Sequence, residues 1–439
     1  MRKTLLIAMS FLLLTGSLGL FAKGQGESAG ASGSTELSFW TFQDLHAQFM
    51  KKAVEKWNVA NPTQKITLKA EVLPYDDMHN KLLIALQSGV GAPDIVDIEI
   101  SKFANYLKGS IQLAPLNDLI DPVKDKFIEA RLDNYAKNGK YYGLDYHVGA
   151  EVMYYNVDML KSAGVDPESI KTWSDYIKAG QKVVAATGKP MCTLESTEHW
   201  SLYPLISLAG SDILDKNGKV ILDNDTNVKV LKMLYDMVYK YKIAITTPGG
   251  FHHSEEYYGF MNGGGAASIW MPLWYMGRFT DYMPDLKGKI IVRPMPTFDG
   301  SDYVYGIKSP YLSTGMGGTG TAVTVQCKNV DLAKKFVFFS KGTKEGSIAT
   351  WTELGFDPMR WDVWNDPAMN QPNKFTEYFI NKNIFGMMFD LKDAFNTTNL
   401  GEKYPELIDI IKRNVSYQVL VERSRTPEQA LKEAASQIK

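Results

Sequence analysis

The chain has 439 residues, of which 45% are hydrophobic, 12% aromatic and 22% charged. That balance excludes an intrinsically disordered chain, and at roughly 100 to 200 residues per domain the length predicts two or three lobes. Lysine plus arginine (48) nearly matches aspartate plus glutamate (49), a formal charge of −1, so no nucleic-acid partner is expected, because phosphate binding needs clustered cations.

Residues 1–22 carry the pattern of an export signal: Arg2 and Lys3, an apolar run over 5–14, then small residues up to Ala22. The run is short for a membrane span. Residues 23–35, rich in Gly, Ser and Ala, read as a flexible tether. The expected location is therefore the periplasm, or the outer face of the cytoplasmic membrane. Only Cys192 and Cys327 are present, so no disulfide framework is expected; two buried thiols are the favoured reading, with a single bridge as the alternative.

Beyond the tether, 37–40 reads as a strand and 46–61 as a helix with Phe49, Met50, Ala53, Val54 and Trp57 on one face. The alternation Ile66, Leu68, Ala70, Val72 predicts a strand, 76–88 a helix, and 95–98 a further apolar strand after Gly89, Gly91 and Pro93. Such β-α-β-α-β order implies parallel pairing with helices on both faces. A second alternating region follows, with extended pieces at 141–143 and 152–156 and helices at 173–187 and 227–242. A strand at 321–325 and helices at 331–340 and 426–438 complete the pattern. The chain reads as two α/β lobes.

No phosphate loop, G-x-S-x-G elbow or H-E-x-x-H helix occurs. Gly315, Gly317, Gly318 and Gly320 precede a strand rather than a helix, which excludes a dinucleotide fingerprint and points to close backbone approach, to another strand or to a ligand. His252 and His253 are adjacent and read as a solvated loop pair. Asp97 and Glu99 alternate on one strand, so they are expected on the same side, for hydrogen bonds to hydroxyls or for acid/base chemistry. No cofactor and no metal are expected.

The informative feature is aromatic residues beside polar ones in predicted loops: Trp40, Phe42 and Gln43; Tyr75 with its two aspartates; Glu198 and Trp200; and Trp270 through Trp274. A sugar offers apolar C–H faces and a rim of hydroxyls, which flat rings and planar carboxylates complement.

Six segments carry a resemblance: YDDMHNKLLIALQSG from Tyr75, GAPDIVDI from Gly91, KYYGL from Lys140, YYN from Tyr154 ahead of Met159 and Leu160, Ala266-Ala267 leading to Trp274, and GFDP from Gly355. In that order they resemble the bacterial extracellular solute-binding proteins of sugar ABC transporters, family 1, similar to maltose-binding protein, from about residue 36 onward. The resemblance implies a type II periplasmic-binding-protein fold, α/β and two-lobed, with a hinge and a ligand cleft between the lobes. Lobe one would comprise 36–145 plus 308–355, and lobe two 146–307 plus 356–439. It also implies sugar contacts by Trp274 and by Glu198 and Trp200 ahead of Pro204. Asp97 and Glu99 stand where maltose binders are apolar or aromatic, and the 77–81 run is closer to relatives binding arabinose-containing or lactose-type oligosaccharides.

The expected ligand contacts are thus Trp40, Phe42, Gln43, Tyr75, Asp97, Glu99, Glu198, Trp200, Trp270, Trp274, Gly317 and Gly318, with Asp145 and His147 on the hinge side. The expected partners are a sugar or oligosaccharide and the membrane permease subunits, with a monomeric chain. Two rival readings are a secreted carbohydrate hydrolase using Asp97 with Asp145, and a binder of an anionic solute such as glycerol phosphate, for which Arg278, Arg293 and Arg360 are the cations to watch.

Overall fold

A computed structural model of the protein describes residues 33–396 and 398–438. The export signal, and the tether through residue 32, lie outside the described residues. Strand β1 (Thr35–Thr41) leads into helix α1 (Asp44–Ala60), β2 (Ile66–Val72) into α2 (Tyr75–Ser88), and β3 (Ile95–Glu99) follows. Then come β4 (Leu144–Asp145), β5 (Glu151–Asn156), α3 (Trp173–Thr187), α4 (Asp225–Tyr239), β6 (Ser268–Pro272), β7 (Ile290–Arg293) and β8 (Thr319–Val323). Helices α5 (Val330–Lys341), α6 (Lys344–Leu354), α7 (Tyr404–Ile410) and α8 (Pro427–Ser436) lie toward the C-terminus. Local chemistry sets several ends: the Thr172–Asp175 capping box opens α3, and left-handed Gly89 and Gly188 close α2 and α3.

The strands form two main sheets. The first has the order β2-β1-β3-β8-β4 and the second β6-β5-β7. Pairing is parallel across β2-β1-β3, as the alternating pattern implies. Strand β8 departs from it, running antiparallel to β3 and β4. The reason is the route: β1 and β3 end at the edge where the lobes meet, whereas β8 begins there on its way back from the second lobe. The second sheet is antiparallel throughout.

Both sheets are buried on two faces, and the period of two sorts their side chains. In the first lobe Leu37, Phe39, Ile95 and Val323 pack toward α1 and α5, while Val96, Ile98 and Ala322 pack toward α2. In the second, Met153, Tyr155 and Trp270 face a core containing α3 and α4; Val152, Tyr154, Ile269 and Met271 face the other way. Cys192 and Cys327 are both buried and unbridged. No helix among the described residues is long and apolar enough to cross a membrane.

Three segments pass side by side between the lobes, around residues 148–150, 315–318 and 357. Ala150 bridges Gly315 in antiparallel fashion, Met316 N donates to Gly149 O at 2.8 Å, and Val148 N donates to Asp357 O at 2.8 Å. The backbones are close enough that a Cβ at Gly149 would sit 2.1 Å from Met316 O. Gly318, at φ +144°, is packed as tightly: its Cβ would meet Arg131 Nη2 at 1.9 Å and Asp145 Oδ2 at 2.4 Å. The Arg131–Asp145 ion pair (2.7 Å) is itself buried.

Asp357 is fully buried in this crossing, accepting the Ala150 N–H at 2.8 Å through one oxygen while the other has no partner. Burial pushes its carboxyl from 3.8 up to about 7. The folded chain therefore holds this proton more tightly than the unfolded chain, and the stability it contributes is present below the ordinary aspartate range and lost as pH rises through about 7. Asp357→Asn should remove that slope. In urea denaturation at about pH 5 and about pH 8, the variant should gain on wild type at the higher pH; an equal difference at both would refute the buried-acid reading.

Candidate functional site

A cavity of about 730 Å³ lies between the two sheets. Its first wall comes from chain leaving the carboxyl ends of β1, β2 and β3, where ligands collect in open α/β sheets: Phe42 and Gln43 after β1, Tyr75 after β2, and Glu99 with Ser101 after β3. Its opposite wall carries Glu198, Trp200, His253, Trp274 and Arg278.

On the first wall Glu99 caps the helical turn Ile100–Phe103, accepting the Ser101 N–H at 2.9 Å, the Tyr75 hydroxyl at 2.9 Å and the Ser101 hydroxyl. Burial raises its carboxyl above the ordinary value, with those hydroxyls opposing. His79 braces the pair from behind. Its Nδ1 lies 2.7 Å from the Tyr75 carbonyl and so donates, and its Nε2 accepts the Glu99 N–H at 3.1 Å. Both ring nitrogens are satisfied only in the neutral form, and burial lowers the imidazole to about 4. Phe42 packs edge-on against Tyr75 at 5.2 Å.

The second wall is an aromatic stack. Trp200 meets Trp274 edge-to-face at 5.4 Å, and His253 lies parallel behind Trp274 at 5.5 Å. Trp274 Nε1 donates to Met316 O at 3.2 Å, which ties this wall to the crossing. Glu195 anchors both supporting loops, accepting Trp200 N at 3.0 Å and His252 N at 2.8 Å; buried entirely, its carboxyl is pushed up to about 8. Five cations and five carboxylates line the cavity, among them the pairs Lys412–Glu198 (2.9 Å) and Lys374–Asp281 (3.1 Å). Burial would raise Glu198, but His199 and Lys412 hold it below the carboxylate norm. Among the described residues no cluster of three or more His, Cys, Asp or Glu side chains is arranged for a metal.

Of the residues expected from sequence, Phe42, Gln43, Tyr75, Glu99, His147, Glu198, Trp200, Trp274, Gly317 and Gly318 line this cavity. Trp40, Asp97, Asp145 and Trp270 do not. Trp40 belongs to β1 itself and packs on Met78, Leu82 and Val96 under the Lys81 ammonium at 4.0 Å; the chain turns into the cleft only at Phe42. Trp270 sits mid-strand against Trp173 and Tyr176, and its chain emerges only past Pro272. Asp97 and Glu99 do not share a site: Asp97 is fully buried among Thr41, His46, Tyr146 and Thr321. Asp145 is spent on Arg131, Tyr135 and Thr319 N; burial opposes ionisation, but Arg131 and His147 hold its carboxyl down to about 2.

The histidine pair is not a solvated loop either. His252 is 1% exposed, and His253 backs the indole wall. His46, Ser101 and Lys412 line the cavity without having been expected. A usable signal existed for the imidazoles, since Tyr75 and His79 stand four residues apart, one turn of α2, Phe42 lies just ahead of the helix that carries His46, and His199 precedes Trp200. Of the three arginines to watch, only Arg278 reaches the cavity; Arg293 pairs with Glu168 and Arg360 with Asp362.

The model of the family described as bacterial extracellular solute-binding protein matches residues 40–345. The chain belongs to that family. It is 51% identical over 438 residues to an arabinooligosaccharide-binding protein of Bacillus subtilis, covering 99% of each chain, and 47% identical over 406 residues to another of Halalkalibacterium halodurans, covering 92% of this chain and 89% of that one. Among solved structures, the solute-binding fold is shared with an ABC transporter-associated binding protein of B. animalis subsp. lactis in complex with β-1,6-galactobiose, at a TM-score of 0.72, 20% identity, and coverage of 92% of this chain and 97% of that one. In this solute-binding protein the two sheets and the cleft between them are the family architecture.

Gly317 tests how the aromatic wall is held. At φ +67°, its Cβ would lie 3.1 Å from Trp274 Nε1 and 3.2 Å from the Trp200 ring. Gly317→Ala should shift the near-ultraviolet circular dichroism of the indoles, leave the far-ultraviolet signal intact, and lower stability by about 1 kcal/mol. An unmoved near-ultraviolet spectrum would show that the glycine does not seat the wall.

Proposed function

We propose that the protein is the extracellular binding component of a carbohydrate ABC importer, that it takes an arabinose-containing oligosaccharide into the interlobe cleft, and that it passes the sugar unchanged to membrane permease subunits. The supporting observation is one charge-balanced cavity with an aromatic wall, Trp200 and Trp274, facing a carboxylate and phenol wall, Glu99 and Tyr75. Rings cover the apolar faces of a pyranose or furanose, and acceptors take hydrogen bonds from its hydroxyls. The names of the two relatives quoted above, both arabinooligosaccharide-binding proteins, support the arabinose series.

Binding uses both walls, and they belong to different lobes. A sugar that touches both favours the closed arrangement by the contacts it gains there, and closure is the state a permease can distinguish from the empty protein. The carboxylate pair of a hydrolase, Asp97 with Asp145, is walled off from the cavity, and the cations of an anion site are matched one for one by carboxylates. The chain acts as a monomer, exported from the cytoplasm.

Calorimetry with arabinotriose, maltotriose, lactose and glycerol 3-phosphate tests this reading. Arabinotriose should bind at one site per chain and be recovered without new reducing ends. Trp274→Ala should weaken it by about 2 kcal/mol, roughly 30-fold, with the fold retained. Binding of glycerol 3-phosphate alone, hydrolysis of the sugar, or unaltered affinity in the variant would refute it.

A further inference from the structure

The chain has six histidines, and four of them line the cavity: His46, His147, His199 and His253. His46 stands apart in how it is held. Its Nδ1 lies 3.0 Å from Asp97 Oδ2, and the two side chains are 6% and 0% exposed. Asp97 is locked in turn by the hydroxyls of Thr41 at 2.8 Å, Tyr146 at 3.2 Å and Thr321. Burial works against ionising it, yet His46, Lys341 and Thr321 together keep its carboxyl below the ordinary value. An ionised carboxylate only accepts, so His46 Nδ1 carries the proton.

The ring plane is fixed as well. His46 stacks on Tyr146 at 4.0 Å and 18°, with Phe42 and Phe356 edge-on at 6.2 and 6.1 Å. Nδ1 is committed to Asp97, while Nε2 makes no hydrogen bond to the described residues and is not among their fully buried polar atoms, so it keeps an accessible face on the cavity. A polar atom held so rigidly at a cavity wall, with no protein group to satisfy it, is oriented toward whatever fills the cavity.

Resting on the sugar-binding reading, we propose that His46 contacts the ligand directly, its Nε2 accepting a hydrogen bond from one sugar hydroxyl, and that Asp97 is the positioning residue that fixes the Nδ1-protonated tautomer. Asp97 thus acts on the ligand through His46. A neutral imidazole offers one lone pair in one direction, where a carboxylate offers several, so this contact selects the position of a single hydroxyl.

The test is arabinotriose binding by wild type, His46→Phe, Asp97→Asn and the double variant. Phenylalanine keeps a flat ring on Tyr146 and removes both nitrogens, so His46→Phe should bind about tenfold more weakly; it also takes one partner from buried Asp97, so it should unfold at a lower temperature than wild type while the hydroxyls of Thr41, Tyr146 and Thr321 keep that carboxylate hydrogen-bonded and the fold formed. Asp97→Asn should also weaken binding, and should add little further loss in the His46→Phe background, because both changes remove one contact. Histidine ¹⁵N spectra give a readout that a structural role would not move: an unprotonated Nε2 resonance, missing from His46→Phe, should shift when arabinotriose is added. If Asp97→Asn fails to fold, His46→Phe and the spectra decide. Wild-type affinity in His46→Phe, or a stationary Nε2 resonance in saturated protein, would overturn the assignment. Wild type that binds neither arabinotriose nor another neutral oligosaccharide would instead overturn the sugar-binding reading, and this inference with it.

Discussion

The buried pairing of Arg131 with Asp145 is the constraint on which the site depends. Two charges are taken out of water at the point where the chain leaves the first sheet, and removing either would strand the other at a cost of about 3 to 5 kcal/mol. The same guanidinium donates to the carbonyls of His147 and Gly317, so the pair fastens the outgoing segment to the returning one. Gly318 must be glycine because Arg131 and Asp145 occupy the space of its side chain. Gly317 and Met316 then meet Trp274. The crossing and the aromatic wall are therefore in direct contact, through one hydrogen bond and one glycine.

Much of the fold was legible because it rests on periodicity. The β-α-β-α-β start follows from alternation in β2 and helical spacing in α1 and α2. The antiparallel entry of β8 was not legible, because it depends on which end of the sheet the chain reaches after about 170 residues in the other lobe. The glycine run at 315–320 announced close approach but not its object. Gly320 pairs with Ile98 of β3 and Asp145 of β4, while Gly317 and Gly318 line the cavity.

In the cleft, the sequence located the loops better than the individual side chains. Trp40 and Phe42 lie two residues apart at the end of one strand, and where the strand ends decides which of them faces the cavity; no composition argument resolves that. Trp270 and Trp274 pose the same problem across Pro272. The imidazoles were harder still. A histidine acquires its role from what lies behind each nitrogen, and for His46 that is Asp97, 51 positions away. Buried polar networks of this kind are specified by tertiary contact and leave only the nearness of Phe42 and His46 in the sequence.

Each wall of the cleft is braced by hydrogen bonds of its own. Glu99, Tyr75 and His79 form a closed hydrogen-bond set within the first lobe, and Glu195 performs the same service for the backbone of Trp200 and His252 in the second. Each wall is preorganised, so a ligand that bridges them is opposed mainly by the entropy of bringing the lobes together. Closure on the sugar is the central claim, and small-angle X-ray scattering with and without saturating arabinotriose tests it most directly. A smaller radius of gyration in the loaded protein is the predicted result; identical scattering curves, with binding established by calorimetry in the same sample, would contradict it.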